Sequence, residues 1–229
     1  LSIVIVNYNV KEFLLNSLES LQNSSKKLSV ETIVVDNNSD DGSVNAIRKK
    51  YPSVITIENN ENLVFVKANK QGMEISKVEY ILLINPDTLV KEDTLEKMLN
   101  FLKSNPNIGL AGCKVLNTDG SLQLPCRRSF PGPWVSFTKI AGLSKLFPNS
   151  KLFAKYNLTY LDENETYEVD AVSGSFMMLS KTAYNKLGGF DTDFFMYGED
   201  LDLCFRVQQN GLAVYYYSDT EIIHYKGES

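Results

Sequence analysis

Cysteine is scarce and unpatterned in this chain. Its three residues, Cys113, Cys126 and Cys204, are odd in number and none forms a CxxC pair. That argues against a disulfide framework or a cysteine zinc site, and for buried or incidental thiols in a reducing compartment. Long apolar runs are missing too: none approaches the ~20 residues that a membrane-spanning helix needs. The opening Leu1-Ser2-Ile3-Val4-Ile5-Val6 is short and lacks a basic lead, so it does not read as a signal peptide. The chain starts without Met and stops at Gly227-Glu228-Ser229, as a piece of a longer parent would. Positive charge is not in excess. The 23 Lys and Arg against 28 Asp and Glu give a net charge of −5, which argues against a general nucleic-acid binder. Three glycine signatures are also absent. No Gly-x-Gly-x-x-Gly follows the first apolar run, and there is no Gly-Lys-Ser/Thr loop or Gly-x-Ser-x-Gly elbow. Dinucleotide, P-loop and ordinary α/β-hydrolase readings thereby lose their markers.

What is present is an alternation of strands and helices in 229 residues, a length that suits one α/β domain. Apolar runs predict strands at Ser2 to Val6, Glu31 to Val35, Val54 to Ile57 and Tyr80 to Ile84. Between them, Leu14, Leu18 and Leu21 share a helical face, as do Phe65, Ala68, Gly72 and Ile75. Ser43 is placed to cap a short helix carrying Val44 and Ile47, and Leu95, Met98, Leu99 and Leu102 mark another. This order implies a mainly parallel sheet flanked by helices. About Leu116 to Glu168 is irregular and holds four of the seven prolines, Arg127-Arg128 and the single Trp134. It reads as loops over the sheet that contribute to a donor or acceptor pocket. Beyond it, Val169 to Leu179 reads as a strand, followed by a helix from Ser180 to Gly188-Gly189 and one from Glu199 to Asn210. Ala213 to Tyr217 and Glu221 to His224 read as two short strands.

In parallel sheets ligands bind beyond the carboxyl ends of the strands. Asn7-Tyr8-Asn9, Asp36-Asn37-Asn38 and Asn85-Pro86-Asp87 each follow a predicted strand directly, so three strand ends deliver polar groups to one crevice. Asp87 at such an end suits a divalent cation that keeps water and phosphate oxygens as its other ligands. The same tripeptide is also an ordinary turn, with Pro86 fixing the bend. Glu199 and Asp200 are candidates to take a proton from an attacking hydroxyl, or they are simply acids that favour a helix N-terminus. The aromatic run Phe194-Phe195-Met196-Tyr197 before them reads as a packed pocket wall. His224, the only histidine, is a candidate metal ligand. Asp36 either accepts from a pyrimidine N–H or caps its own Asp-Asn-Asn-Ser turn.

In order and content these segments resemble the family-2 glycosyltransferases, most of all their rhamnosyltransferase-like branch. The matching stretches are IVIVNYN, ETIVVDNNSDDGS, ENLVFVKANKQG, YILLINPDTLV, VDAVSGSFMMLS, GGFDTDFFMYGEDLDLCFRVQQNG and IIHYKGES. The resemblance implies a GT-A-type nucleotide-diphospho-sugar transferase fold and inverting transfer that depends on Mg2+ or Mn2+. It implies a single catalytic domain over 1–229, with a nucleotide-sugar-binding half (1–112) and an acceptor-binding, catalytic half (113–229). By the same resemblance Asp36 contacts the donor base and Asn7 and Tyr8 line its pocket. Asp87 is the acid of a modified Asp-x-Asp motif, and Asn85 stands where many relatives carry the first Asp. Asp200 is the base with Glu199 beside it, and His224 is a second metal or diphosphate ligand. The implied partners are a nucleotide-diphospho-sugar such as dTDP-rhamnose and a saccharide or lipid-linked acceptor. They imply work in the cytoplasm, peripheral to the inner face of the cell membrane, in polysaccharide synthesis. Where relatives commonly read Asn-Leu-Gly-Phe-Ala, this chain has Asn62-Leu63-Val64-Phe65-Val66. Glycine there permits a positive φ or close approach of a ligand, so Val64 predicts an altered donor pocket. Two rivals remain from the residues: a sugar nucleotidyltransferase, and a non-catalytic nucleotide-sugar or carbohydrate-binding relative.

Overall fold

A computed structural model describes residues 1–194, 198–225 and 227. The first half winds as expected: β1 (Ser2–Asn7), α1 (Lys11–Ser24), β2 (Glu31–Asp36), α2 (Ser43–Lys50), β3 (Ile55–Glu58), α3 (Val64–Ile75) and β4 (Tyr80–Ile84). β5 (Thr88–Val90), α4 (Thr94–Ser104) and β6 (Ile108–Leu116) follow. The middle holds β7 (Arg127–Arg128), α5 (Pro133–Ile140), α6 (Leu143–Leu146) and β8 (Tyr167–Glu168) among loops. The chain finishes with β9 (Ala171–Val172), β10 (Phe176–Ser180), α7 (Lys181–Leu187), α8 (Glu199–Gln209) and β11 (Ala213–His224). Among the described residues no helix is long and apolar enough to cross a membrane.

A nine-stranded sheet runs β3-β2-β1-β4-β10-β6-β11-β5, with β8 beside β11. β3, β2, β1 and β4 are parallel to one another, and so are β6 and β11. β10 is inserted antiparallel between β4 and β6. Every residue of β1 is buried, as are the last four of β4, which is the pattern of strands covered on both faces. The predicted helical faces supply that cover, with Leu14, Leu18 and Leu21 of α1 and Leu95, Met98, Leu99 and Leu102 of α4 all buried. Gly72 lets α3 lie close on the sheet: a Cβ there would come within 2.4 Å of a Val4 methyl carbon.

Three local expectations change. Ser43 does not cap α2; Gly42, at φ 79, takes the N-cap and Ser43 opens the helix, its N–H held by Asp41. The single strand expected over Val169 to Leu179 is two, β9 and β10, broken by a turn at Ser173-Gly174-Ser175. The two short strands expected after Gly211 are one, β11, whose register against β6 shifts between Tyr217 and Glu221. The three cysteines are free and buried.

Candidate functional site

β1 and β2 pair in register so that Asn7 faces Asp36 at their carboxyl ends. The Asn7 amide donates to Asp36 Oδ1 (2.7 Å) and to Ser39 Oγ (3.0 Å), while the Ser39 N–H donates to Asp36 Oδ2 (2.9 Å). Asp36 is buried. It therefore does cap its own turn, and it does so at the mouth of the sheet. Asn9 and Asn38 sit at φ 55 and 66, the left-handed region that Asn tolerates. Tyr8 is 49% exposed beside them.

Asn85 lies at the end of β4, the next strand along. The carboxamide oxygens of Asn7 and Asn85 are both buried without a hydrogen-bond partner. An unmet buried acceptor costs free energy, so two of them at neighbouring strand ends suit hydroxyl or N–H donors from a ligand. Thr88 Oγ1 donates back to the Asn85 carbonyl (2.7 Å) and holds the Asn-Pro-Asp turn.

Asp87 is buried, and its Oδ1 lies 3.2 Å from His224 Nε2. β11 delivers His224 by pairing with β5, with His224 opposite Thr88. Gln123 fixes the imidazole: its amide nitrogen donates to the His224 carbonyl (2.8 Å), which turns its oxygen toward His224 Nδ1 (3.0 Å). Held by Gln123 at Nδ1, the ring turns Nε2 toward the Asp87 carboxylate, where it also lies 3.4 Å from the Asn85 amide nitrogen. Nitrogen and oxygen donors of this kind, completed by phosphate and water, suit Mg2+ or Mn2+. Among the described residues no group of three or more His, Cys, Asp and Glu is gathered for a metal, so a cation here would need ligands beyond Asp87 and His224.

Glu199 and Asp200 open α8 behind Gly198, at φ 92. Asp200 is ion-paired through Oδ2 with Arg128 of β7, and the Gly174 N–H donates to the same oxygen (3.1 Å). Oδ1 accepts from the Leu201 N–H (2.8 Å). Burial opposes the Arg128 charge, yet the Asp200 carboxylate outweighs it and raises the guanidinium above its ordinary pKa. Arg128 also donates to the Val172 carbonyl (2.8 Å), so it ties α8 to β9. The Ser173-Gly174-Ser175 turn reaches both ways. Its Gly174 N–H meets Asp200, and its Ser175 carbonyl accepts from the Asn85 N–H (3.2 Å). One three-residue turn thus links the end of β4 to the start of α8. Phe194 packs against the core, while Phe195, Met196 and Tyr197 of the expected aromatic wall lie outside the described residues. The clefts lined by Leu18, Thr32 and Tyr51, and by Lys77, Tyr80 and Lys181, lie toward the amino ends of β2 and β4, away from these groups.

Gln123 was not foreseen from sequence, and Arg128 was noted only within an irregular segment. A signal for Gln123 exists in Asn117-Thr118-Asp119-Gly120, whose Asp-Gly predicts a turn back along β6. Gly120 is at φ 82, and the Gln123 N–H donates to the Val115 carbonyl. Val64 sits at φ 60, the conformation for which glycine at this position is suited.

Comparison with known proteins gives the family and the fold. The model of "Glycosyl transferase family 2" matches residues 2–188, and that of "Glycosyl transferase family group 2" matches 149–229. The N-acetylglucosaminyl-diphospho-decaprenol L-rhamnosyltransferase of Mycobacterium tuberculosis is 27% identical, over 100% of this chain and 77% of the relative. Rhamnosyltransferase WbbL of Escherichia coli is 26% identical, over 97% and 82%. Among solved structures, the mannosyltransferase PcManGT of Pyrobaculum calidifontis, in complex with GDP-Man and Mn2+, superposes with a TM-score of 0.69 at 17% identity. It covers 99% of this chain, and this chain spans 58% of that one. The fold is of the GT-A type, and the chain belongs to glycosyl transferase family 2, the inverting sugar transferases.

Proposed function

We propose that this chain transfers rhamnose from dTDP-rhamnose to a lipid-linked saccharide at the cytoplasmic face of the cell membrane. The half spanning 1–112 takes the nucleotide, and 113–229 brings the acceptor and the base. Asp36, with Asn7 and Tyr8, meets the base of the donor. Asn85 offers its carboxamide oxygen to the ribose. Asp87 and His224 Nε2 would hold a divalent cation, which supplies neutralising charge to the departing nucleoside diphosphate.

Asp200 takes the proton of the acceptor hydroxyl. Its Oδ2 is held by Arg128 and Gly174, which leaves Oδ1 as the oxygen with a lone pair to spare. The hydroxyl attacks the anomeric carbon opposite the leaving group, so configuration inverts. Glu199, one residue earlier, is the alternative base. The observation that carries this reading is the Ser173-Gly174-Ser175 turn, which ties Asn85 and Asp200 into one unit. The rhamnosyltransferase names of two relatives support the donor, and the decaprenol of one supports the acceptor.

Thermal unfolding against nucleoside diphosphates and their sugars, with and without Mn2+, tests it. A donor at about 100 times its Kd adds roughly 2.7 kcal/mol, which is on the order of 5–10 °C for a chain of this size. Asp200→Asn should keep that shift and lose transfer. If no nucleotide stabilises the chain under any metal, the reading fails. Binding without transfer would favour a non-catalytic relative, and pyrophosphate release from a nucleoside triphosphate would favour a nucleotidyltransferase.

A further inference from the structure

The surface of the acceptor half carries a patch that the transfer reaction does not explain. Between Phe130 and Tyr156 the chain leaves the sheet, forms α5 and α6, and returns. The Ser129 N–H donates to the Tyr156 carbonyl (2.9 Å) and closes the excursion at its base, one residue after Arg128. α5 buries Val135 and Thr138. Its other side faces water with large apolar groups. Ile140 is 87% exposed and Leu146, of α6, is 70% exposed. Trp134 contacts Phe137 and Phe153, and Phe153 contacts Phe147, giving one connected aromatic cluster. Exposed apolar patches of this kind mark interaction sites.

The charge of the same segment identifies the partner. The chain is acidic, yet no Asp or Glu occurs from Gly120 to Leu161; all 28 lie elsewhere. Lys139, Lys145, Lys151 and Lys155 all stand exposed in this acid-free stretch. Lysines around a helix face that bears aromatic and branched apolar groups suit the boundary of an anionic bilayer, where the rings enter the headgroup layer and the ammonium groups meet lipid phosphate.

We infer that the excursion from Phe130 to Tyr156 docks the protein onto anionic lipid. It sits against the catalytic end: the Phe130 ring packs on Phe205 of α8 (5.4 Å between centroids), and Arg128 pairs with Asp200 on the same helix. Docking therefore brings the Asp200 end of α8 to the membrane surface, where a lipid-linked saccharide is presented. The inference deepens the acceptor reading and rests on it for its purpose, while its test uses neither donor nor acceptor.

Trp134, the only tryptophan, reports directly on the patch. Its emission should shift to the blue, and the protein should sediment, with vesicles of phosphatidylcholine and phosphatidylglycerol. Phosphatidylcholine alone should bind far less. Each Lys→Gln among the four should weaken partition about fivefold, since a surface lysine contributes about 1 kcal/mol. Ile140→Glu with Leu146→Glu should abolish the shift while the donor-induced rise in Tm persists. No binding to anionic vesicles would overturn the inference. So would a blue shift that grows with protein concentration in the absence of lipid, which would give the patch to a second copy of the chain. Vesicle binding by a chain that no nucleotide stabilises would keep the docking surface and remove the transferase reading.

Discussion

Val64→Gly should make this protein more stable, although it removes a branched side chain. Val64 opens α3 at φ 60. A residue with a Cβ pays roughly 1–2 kcal/mol in the left-handed region, and β-branching makes that conformation a genuine outlier. Glycine removes the strain but loses roughly 0.5–1 kcal/mol more on folding, through the freedom of its unfolded chain. Val64 is only partly buried, so its truncation leaves no core cavity. The balance is a gain of about 0.5–1 kcal/mol, or on the order of 1–4 °C in Tm at this chain length. Thermal unfolding of a short series separates strain from packing. Asn tolerates the left-handed region, so Val64→Asn should also gain. Val64→Ala keeps a Cβ at φ 60 and should gain little. A lower Tm for Val64→Gly, or a gain for Ala equal to that for Gly, would refute the strain argument.

The remaining expectations concern the site and the thiols. Arg128→Met leaves the Asp200 carboxylate without its cation in a largely buried pair, which should cost about 3 kcal/mol. Arg128→Lys should recover most of that, and with either variant kcat should fall more than donor affinity, as fits a positioning residue. Equal losses in both would leave Arg128 a structural role only. Gln123→Leu frees the His224 ring, so Mn2+-dependent donor binding should weaken roughly 10–100-fold, read by titration at fixed metal. Burial pushes Cys126 to about 11 and Cys204 to about 12, and Cys113 well above the ordinary thiol value. The folded state thus holds these protons more tightly, and stability should fall as pH rises above the unfolded thiol value of about 8.5. Cys204→Ala should flatten part of that slope in denaturant melts between pH 8 and 10, and native chains should resist thiol reagents.

The parallel half was legible because its signals agree at every level. Apolar runs of strand length alternate with helical faces, and polar turn residues follow the strands, so the strand-end rule places Asn7, Asp36, Asn85 and Asp87 at the carboxyl ends from sequence alone. β6 was not legible, and its glycines explain why. Gly109 and Gly112 weaken a strand signal, yet each is required by packing: a Cβ would come within 2.7 Å of a Val207 methyl carbon at one and 2.8 Å of Val172 Cβ at the other. Lys114 adds a charge foreign to a buried strand, and its Nζ is met by Asn164 Oδ1 (2.5 Å). Ala213 to Tyr217 and Glu221 to His224 read as two strands with the polar Ser218, Asp219 and Thr220 between them; the register shift against β6 absorbs these three within one strand. Arg128 gave no local sign of its role. Its partner lies 72 residues away, and only the antiparallel pairing of β7 with β9 brings the two together.

The two ends of the site are prepared differently, and that difference bears on mechanism. Asp36 meets Asn7 and Ser39 within the chain itself, so the end proposed for the nucleotide is braced by internal bonds. Its unmet groups are the Asn7 and Asn85 carboxamide oxygens, acceptors that a neutral sugar or base can satisfy. At the other end Asp200 carries its charge compensation with it, in Arg128. In the role proposed for Asp200, the pair fixes which oxygen is available: Oδ2 is committed to Arg128 and Gly174, and among the described residues Oδ1 meets only the Leu201 N–H. A strand-end cluster braced by the chain's own bonds, beside an acid held in place by an arginine, fits the proposed transfer, in which the donor and the base must be positioned before they react.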